Sequence, residues 1–135
     1  MTALLDTHVF LWWVLDDERL TPYVREYIAD EGHNLLLSSA SCWEIAIKAK
    51  MGRLKLSENP EKFILDQMIV NNISGLPIQL VHALHVYNLP YHHRDPFDRM
   101  LVAQASIEKI PIITNDRLIT NYDVKTLWDK KRKHN

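Results

Sequence analysis

Four carboxylates stand where a folding chain normally keeps charge away, at the edges of apolar runs. Asp6 closes Ala3-Leu4-Leu5, and Asp116 follows Ile110-Pro111-Ile112-Ile113-Thr114. Glu44 and Asp98 each stand near the start of an amphipathic helical segment. Acids gathered from four separate elements repel one another, and burial raises the cost. A fold that tolerates such a cluster holds a hard cation between the acids, and Mg²⁺ suits oxygen ligands while keeping several waters. The pattern points to metal-assisted hydrolysis.

The segments around these acids specify an α/β class. Short buried strands are expected at Ala3–Asp6, Leu35–Ser38, Leu76–Leu80, Ile110–Thr114 and Val124–Trp128. Between them lie helical stretches. Thr7 is read as the N-cap of His8–Leu15, and Thr21-Pro22 opens a helix running to about Asp30. Cys42–Met51 reads as a helix ending at Gly52, and Pro60 starts one through Val70. Val81–Asn88 is a further helical stretch, and Asp95-Pro96 caps a helix reaching Lys109. Strands alternating with helices predict a parallel sheet covered on both faces. Such sheets present their reactive groups beyond the C-terminal strand ends, where Asp6 and Asp116 fall. Glu44 follows the second strand, and Asp98 joins if the first turn of its helix faces the same crevice.

Composition sets the remaining bounds. At 135 residues the chain suits one domain over residues 1–129, with a basic tail at 130–135. The apolar runs are too short to cross a bilayer, and the N-terminus lacks the basic start and cleavage site of a secretory leader. A lone Cys42 cannot form an internal disulfide, so a reducing cytoplasm is the expected setting. The net charge of −1 argues against a nucleic-acid surface until the four acids are set aside, which leaves 13 acids against 16 Lys and Arg. Part of that excess is Lys130-Lys131-Arg132-Lys133, either a phosphate contact or a solvated end.

Each acid also has a plainer role open to it. Ser41-Cys42-Trp43-Glu44 spells a capping box, in which Glu44 would bond back to the Ser41 backbone. Asp98 is a first-turn acid favoured by the helix dipole, and Asp116 suits a turn at Asn115-Asp116. Asp95, directly before Pro96, is an N-cap by position and is read as structural. His92-His93 raises a zinc site with nearby carboxylates, but adjacent histidines point apart and no second His or Cys set has ligand spacing. A loop contact to substrate or partner is the preferred reading there. Trp12, Trp13, Trp43 and Trp128 read as core or subunit-interface residues. An aspartyl-phosphate nucleophile at Asp6 would want a second acid two residues on, and His8 stands there.

Taken in order, Leu4-Leu5-Asp6-Thr7-His8, Ser41-Cys42-Trp43-Glu44-Ile45-Ala46-Ile47-Lys48, His93-Arg94-Asp95-Pro96-Phe97-Asp98-Arg99 and Thr114-Asn115-Asp116 resemble the PIN-domain ribonucleases. The subgroup they look most like is the VapC-like toxins of bacterial toxin–antitoxin pairs. The resemblance runs from about residue 3 to Trp128, and Asp-Pro-Phe-Asp-Arg is its most specific part. It implies a three-layer α/β/α PIN-like fold with a central mostly parallel sheet, Mg²⁺ or Mn²⁺ as cofactor, and RNA as substrate. It assigns the catalytic, metal-binding quartet to Asp6, Glu44, Asp98 and Asp116, with Asp6 and Asp98 as principal ligands. Thr7, Asp95, Arg99 and Thr114 are supporting or substrate-contact candidates, and Lys48 and Arg99 are candidate phosphate contacts. The expected partners are RNA, a small antitoxin protein and a second copy of the chain, with no membrane. One departure bears on the metal count: many relatives carry an acid two residues after the position of Asp116, and here it is Leu118. Two other classes stand beside this reading, a non-catalytic PIN-like binding module and a DNA nuclease.

Overall fold

Strands and helices join with almost no linker in this protein, and those joints set where the acids lie. The computed structural model describes residues 1–129; the basic run Lys130–Lys133 lies outside the described residues. Strand β1 (Thr2–Leu5) passes through the single residue Asp6 into helix α1 (Thr7–Val14). Helix α2 (Pro22–Ala29) leads to β2 (Asn34–Ser38), which runs without a break into α3 (Ser39–Lys50). Next come α4 (Pro60–Val70), β3 (Ile73–Leu76), α5 (Leu80–His85) and a 3₁₀ turn at Val86–Asn88. Helix α6 (Pro96–Glu108), β4 (Ile112–Ile113), α7 (Arg117–Thr120) and β5 (Thr126–Leu127) complete the order.

The strands form one five-stranded sheet in the order β3-β2-β1-β4-β5, and every pairing is parallel. Leu4 lies in register with Leu36 on one side and Ile112 on the other. The two-residue side-chain period of a strand then sorts the core into two layers. Ala3, Leu5, Leu35, Leu37 and Ile113 face α1, α2 and α4 through Val9, Phe10, Val24, Ile28, Phe63 and Ile64. Leu4 and Ile112 face α6 and α7 through Leu101, Val102, Ala105 and Ile119. Helix α3 contributes to both layers, with Ile45 in the first and Ala40 in the second. Buried Gln104 of α6 ties the layers to the sheet, bonding the Ser38 hydroxyl and donating to the carbonyl of Pro77 at 3.2 Å.

The chain moves outward from β1 to β3 and then returns to the far side of β1 as β4. The reversal falls between β1 and β4, so a crevice opens there beyond their C-terminal ends. Asp6 and Thr114 leave those two strands into it.

Several local expectations shift. Asp6, not Thr7, is the N-cap of α1, its carboxylate accepting from the backbone N–H of His8. Thr7 instead donates its hydroxyl to Ser41 Oγ at 2.7 Å and pins α1 to α3. Helix α3 starts at Ser39 under a Ser38 cap, ahead of the expected start at Cys42, because β2 continues directly into it. The third strand ends at Leu76 rather than beginning there, since Pro77 has no N–H to give the ladder. Trp12, Trp13 and Trp128 pack on the first core layer, whereas Trp43 is 62% exposed and rests edge-on against Phe97. No helix among the described residues is long and apolar enough to cross a membrane. Leu5 is fully buried between β2, β4 and the α1 layer, so Leu5→Ala should cost about 2–5 kcal/mol in urea unfolding, far above any exposed apolar truncation such as Ile69→Ala.

Candidate metal centre

Three of the four acids are held at helix N-termini, where unpaired backbone N–H groups and the helix dipole favour negative charge. Asp6 is 2% exposed; its Oδ1 accepts from His8 N–H at 3.3 Å and its Oδ2 from the Thr114 hydroxyl at 2.7 Å. Asp116 caps α7, Oδ1 accepting from Leu118 N–H at 2.8 Å, so the turn role read from sequence and a place at the crevice coexist. Thr114 joins these two acids, since its Oγ1 also accepts the Asp116 N–H at 3.0 Å. Asp98 lies in the first turn of α6, and Asp95 caps that helix by accepting from Phe97 and Asp98 N–H groups at 2.8 and 3.2 Å. The structural role expected of Asp95 is therefore filled, and Asp98 is left spare.

Glu44 is held differently. Ser41 lies inside α3 and bonds Thr7, so no capping box forms and Glu44 projects from beyond the first turn. It is 3% exposed, and Lys48 one turn on donates to its Oε2 at 2.6 Å. Its Oε1 is buried without a hydrogen-bond partner among the described residues. A buried carboxylate oxygen with nothing to accept from is costly, and a bound cation would satisfy it.

Among the described residues Asp98 and Asp116, with His93, offer ligand atoms within 4.8 Å of one another, whereas Asp6 is tied to Asp116 through Thr114 and Glu44 lies outside that close group. The Asp98 carboxyl is pushed up to about 8, first by burial and then by the charges of Asp6, Asp95, Glu44 and Asp116. Burial also raises Asp6 above the usual carboxylate range, against the Thr114 hydrogen bond that lowers it. Without a cation the cluster resists full ionisation, and with one the same oxygens form a hard, anionic donor set fitting Mg²⁺ or Mn²⁺. The residues present fit the group.

Two side chains change role. Arg99, a candidate supporting or phosphate contact from the sequence, is buried, with Nη1 donating to Pro90 O at 2.9 Å and Tyr122 Oη at 3.0 Å, and Nη2 to Val86 O at 3.1 Å. A guanidinium committed in this way shapes the loop before α6 and does not face the crevice. His93, set aside in the sequence as a loop contact, enters the cluster. Its Nε2 lies 2.8 Å from Asp98 Oδ2 and 3.9 Å from Asp116 Oδ2. His92 points away onto Tyr122, as adjacent histidines were expected to do. The available signal was His93 standing two residues before the helix cap, where the chain turns back over the first turn of α6.

A raised carboxyl has a thermodynamic consequence. Because the folded-state value of Asp98 lies above the unfolded one, its contribution is fully present below about pH 4 and is lost as pH rises through about 8. In EDTA, the wild-type chain should lose melting temperature between pH 6 and 8.5, and Asp98→Asn should flatten that slope and melt higher at pH 8.5. The gain should be several degrees, as 1 kcal/mol is worth roughly 3–5 °C in a domain of this size. Identical slopes for both chains would refute the electrostatic account of Asp98.

The comparisons with known proteins agree with this architecture. The PIN domain family model matches residues 3–125. Ribonuclease VapC22 of Mycobacterium tuberculosis is 26% identical over 122 residues, covering 90% of this chain and 92% of that protein. Ribonuclease VapC16 of the same organism is 34% identical over 61 residues, 45% of this chain and 43% of that one. The fold is shared with VapBC2 from Rickettsia felis bound to a DNA fragment from their promoter, at TM-score 0.71 and 12% identity over 96% of this chain and 100% of that one. It is shared likewise with DNA-bound VapBC from Salmonella typhimurium, at TM-score 0.67 and 16% identity over 94% and 98%. By the family match along nearly its whole length, with the all-parallel sheet to go with it, this chain belongs to the PIN domain family.

Proposed function

We propose that this chain is a Mg²⁺- or Mn²⁺-dependent endoribonuclease that hydrolyses RNA phosphodiesters, and that it acts as the toxin of a toxin–antitoxin pair in the cytoplasm. The observation that carries the hydrolytic reading is the cluster of Asp98, Asp116 and His93, whose ligand atoms lie within 4.8 Å of one another, with Asp6 joined to Asp116 through Thr114 and Glu44 Oε1 buried and unpaired among the described residues. RNA as substrate is supported by the likeness to ribonucleases VapC22 and VapC16. A small antitoxin and a second copy of the chain are the partners that go with this reading.

The four acids would hold the ion, with Asp6 and Asp98 as principal ligands. When bound, the cation supplies a Lewis acid for the phosphoryl oxygens and lowers the pKa of water at the site. Thr114 donates to Asp6 Oδ2 and accepts the Asp116 backbone N–H, so it ties the ends of the two strands together. Asp116, with 31% of its side chain exposed, is the acid best placed to orient the attacking water and accept its proton as the new O–P bond forms and the ester P–O bond breaks, the leaving oxygen taking a proton from solvent. Lys48 neutralises Glu44 while keeping 39% of its side chain exposed at the rim, where a phosphate of the substrate can share it. No side chain is needed as a covalent nucleophile.

RNA cleavage by the purified chain should appear with Mg²⁺ or Mn²⁺, vanish in EDTA, and fall at least about a hundredfold in Asp6→Asn and Asp98→Asn with their folded spectra intact. Full activity in either folded variant would sink the site assignment. Cation binding without cleavage of any RNA would favour a binding module, and cleavage of DNA in place of RNA would favour a DNA nuclease.

A further inference from the structure

The segment between the 3₁₀ turn at Val86–Asn88 and helix α6 is built around a buried cation that makes no ion pair with a described residue. Arg99 projects back from α6 and uses its guanidinium on backbone carbonyls: Pro90 O at 2.9 Å, Val86 O at 3.1 Å and Leu89 O at 3.5 Å. Tyr91 covers it, with its ring centroid 4.4 Å from the guanidinium carbon. Tyr122, from beyond α7, closes the arrangement. Its hydroxyl oxygen accepts from Arg99 Nη1 at 3.0 Å and from the backbone N–H of His93 at 2.9 Å. One residue of the loop is thereby fixed in place, and it is His93.

We propose that His93 is a positioning residue for the cation site, delivered by the Arg99–Tyr122 clamp, whose Nε2–H holds one oxygen of Asp98 and leaves the other for the ion. The inference rests on the cation reading above and goes beyond it, since an imidazole is no part of the acidic quartet.

The ring's hydrogen bonds decide between positioning and direct ligation. His93 Nε2, Asp98 and Asp116 offer atoms that all lie within 4.8 Å of one another, as donors to one ion must. A ligating histidine, however, donates its second ring N–H to an outer acceptor. Here Nδ1 faces a donor, the Asp95 N–H at 3.4 Å, the arrangement that suits a ring carrying its hydrogen on Nε2. That nitrogen then donates to Asp98 Oδ2 at 2.8 Å, an ordinary N–H···O hydrogen-bond length. Asp98 Oδ1 has no protein donor among the described residues and is the oxygen left to the ion. Fixing a ligand carboxylate from behind is worth about 10–100-fold in metal affinity at comparable sites.

The test is calorimetric titration of the full chain with Mn²⁺, as wild type, His93→Ala, His93→Gln and Tyr122→Phe, with thermal melts of each. His93→Ala should weaken Mn²⁺ binding by about 10–100-fold. His93→Gln, which keeps an N–H donor at similar reach, should recover most of it. Tyr122→Phe, which removes the acceptor for His93 N–H, should give an intermediate loss in a chain that still melts cooperatively. Pulsed EPR of Mn²⁺ in the wild-type chain should show no directly bonded nitrogen. The inference is overturned by His93→Ala binding Mn²⁺ within about twofold of wild type, by His93→Gln faring no better than Ala, or by a bonded-nitrogen coupling that disappears in His93→Ala. If the wild-type chain takes up no Mn²⁺, the cation reading itself fails and this inference falls with it, an outcome distinct from tight binding in every variant.

Discussion

Mutual repulsion among buried carboxylates is the constraint around which the rest of this structure is arranged. Asp6, Glu44 and Asp98 are each less than 8% exposed, and such a group is expensive to assemble in a medium that screens poorly. The fold meets that cost with backbone. Parallel strands feed directly into helices, so the strand ends coincide with helix N-termini, and Asp6 and Asp116 take cap hydrogen bonds there. Asp98 sits in the first turn of a third helix under the Asp95 cap. The same topology that requires helices on both faces of the sheet thus also supplies the partial positive charges that make an acidic crevice tolerable.

What those devices leave unsatisfied is as informative as what they hold. Asp6 and Asp116 spend Oδ1 on a cap, and Asp6 spends Oδ2 on Thr114. Lys48 covers one oxygen of Glu44 and leaves the other buried and, among the described residues, unpaired. The Asp98 carboxyl responds by shifting toward its neutral form. A core built only for stability would replace these groups with apolar ones, because burying an incompletely paired charge costs more than it returns. Their presence at the reversal point of a parallel sheet is the physical content of the functional reading.

Much of this was legible from residue order. Asp95-Pro96 and Asn59-Pro60 mark helix starts because proline fixes its own φ and needs no N–H, and both helices begin at those prolines. The apolar runs ending in Asp6 and before Asp116 gave the parallel sheet and its active edge. The shifted helix starts have a common cause, the choice between adjacent residues of equal local aptitude. Asp6 and Thr7 can each cap a helix, and Ser38, Ser39 and Ser41 compete in the same way; only the length of β1 and β2 decides. The burial of Arg99 is not legible in the sequence, because the carbonyls that accept it come from a loop whose path is not written in periodicity. His93 was missed because its partners, Asp98 and Tyr122, meet it only after that loop is folded.

The claim that these acids exist to hold a divalent cation is most directly tested by diffraction from crystals grown with Mn²⁺, using its anomalous signal. The account requires a manganese peak at the C-terminal edge of β1 and β4, contacted by Asp6 and Asp98 and lost in crystals of Asp98→Asn. A folded wild-type chain with no peak at that crevice at millimolar Mn²⁺, or with its peak elsewhere, would contradict it.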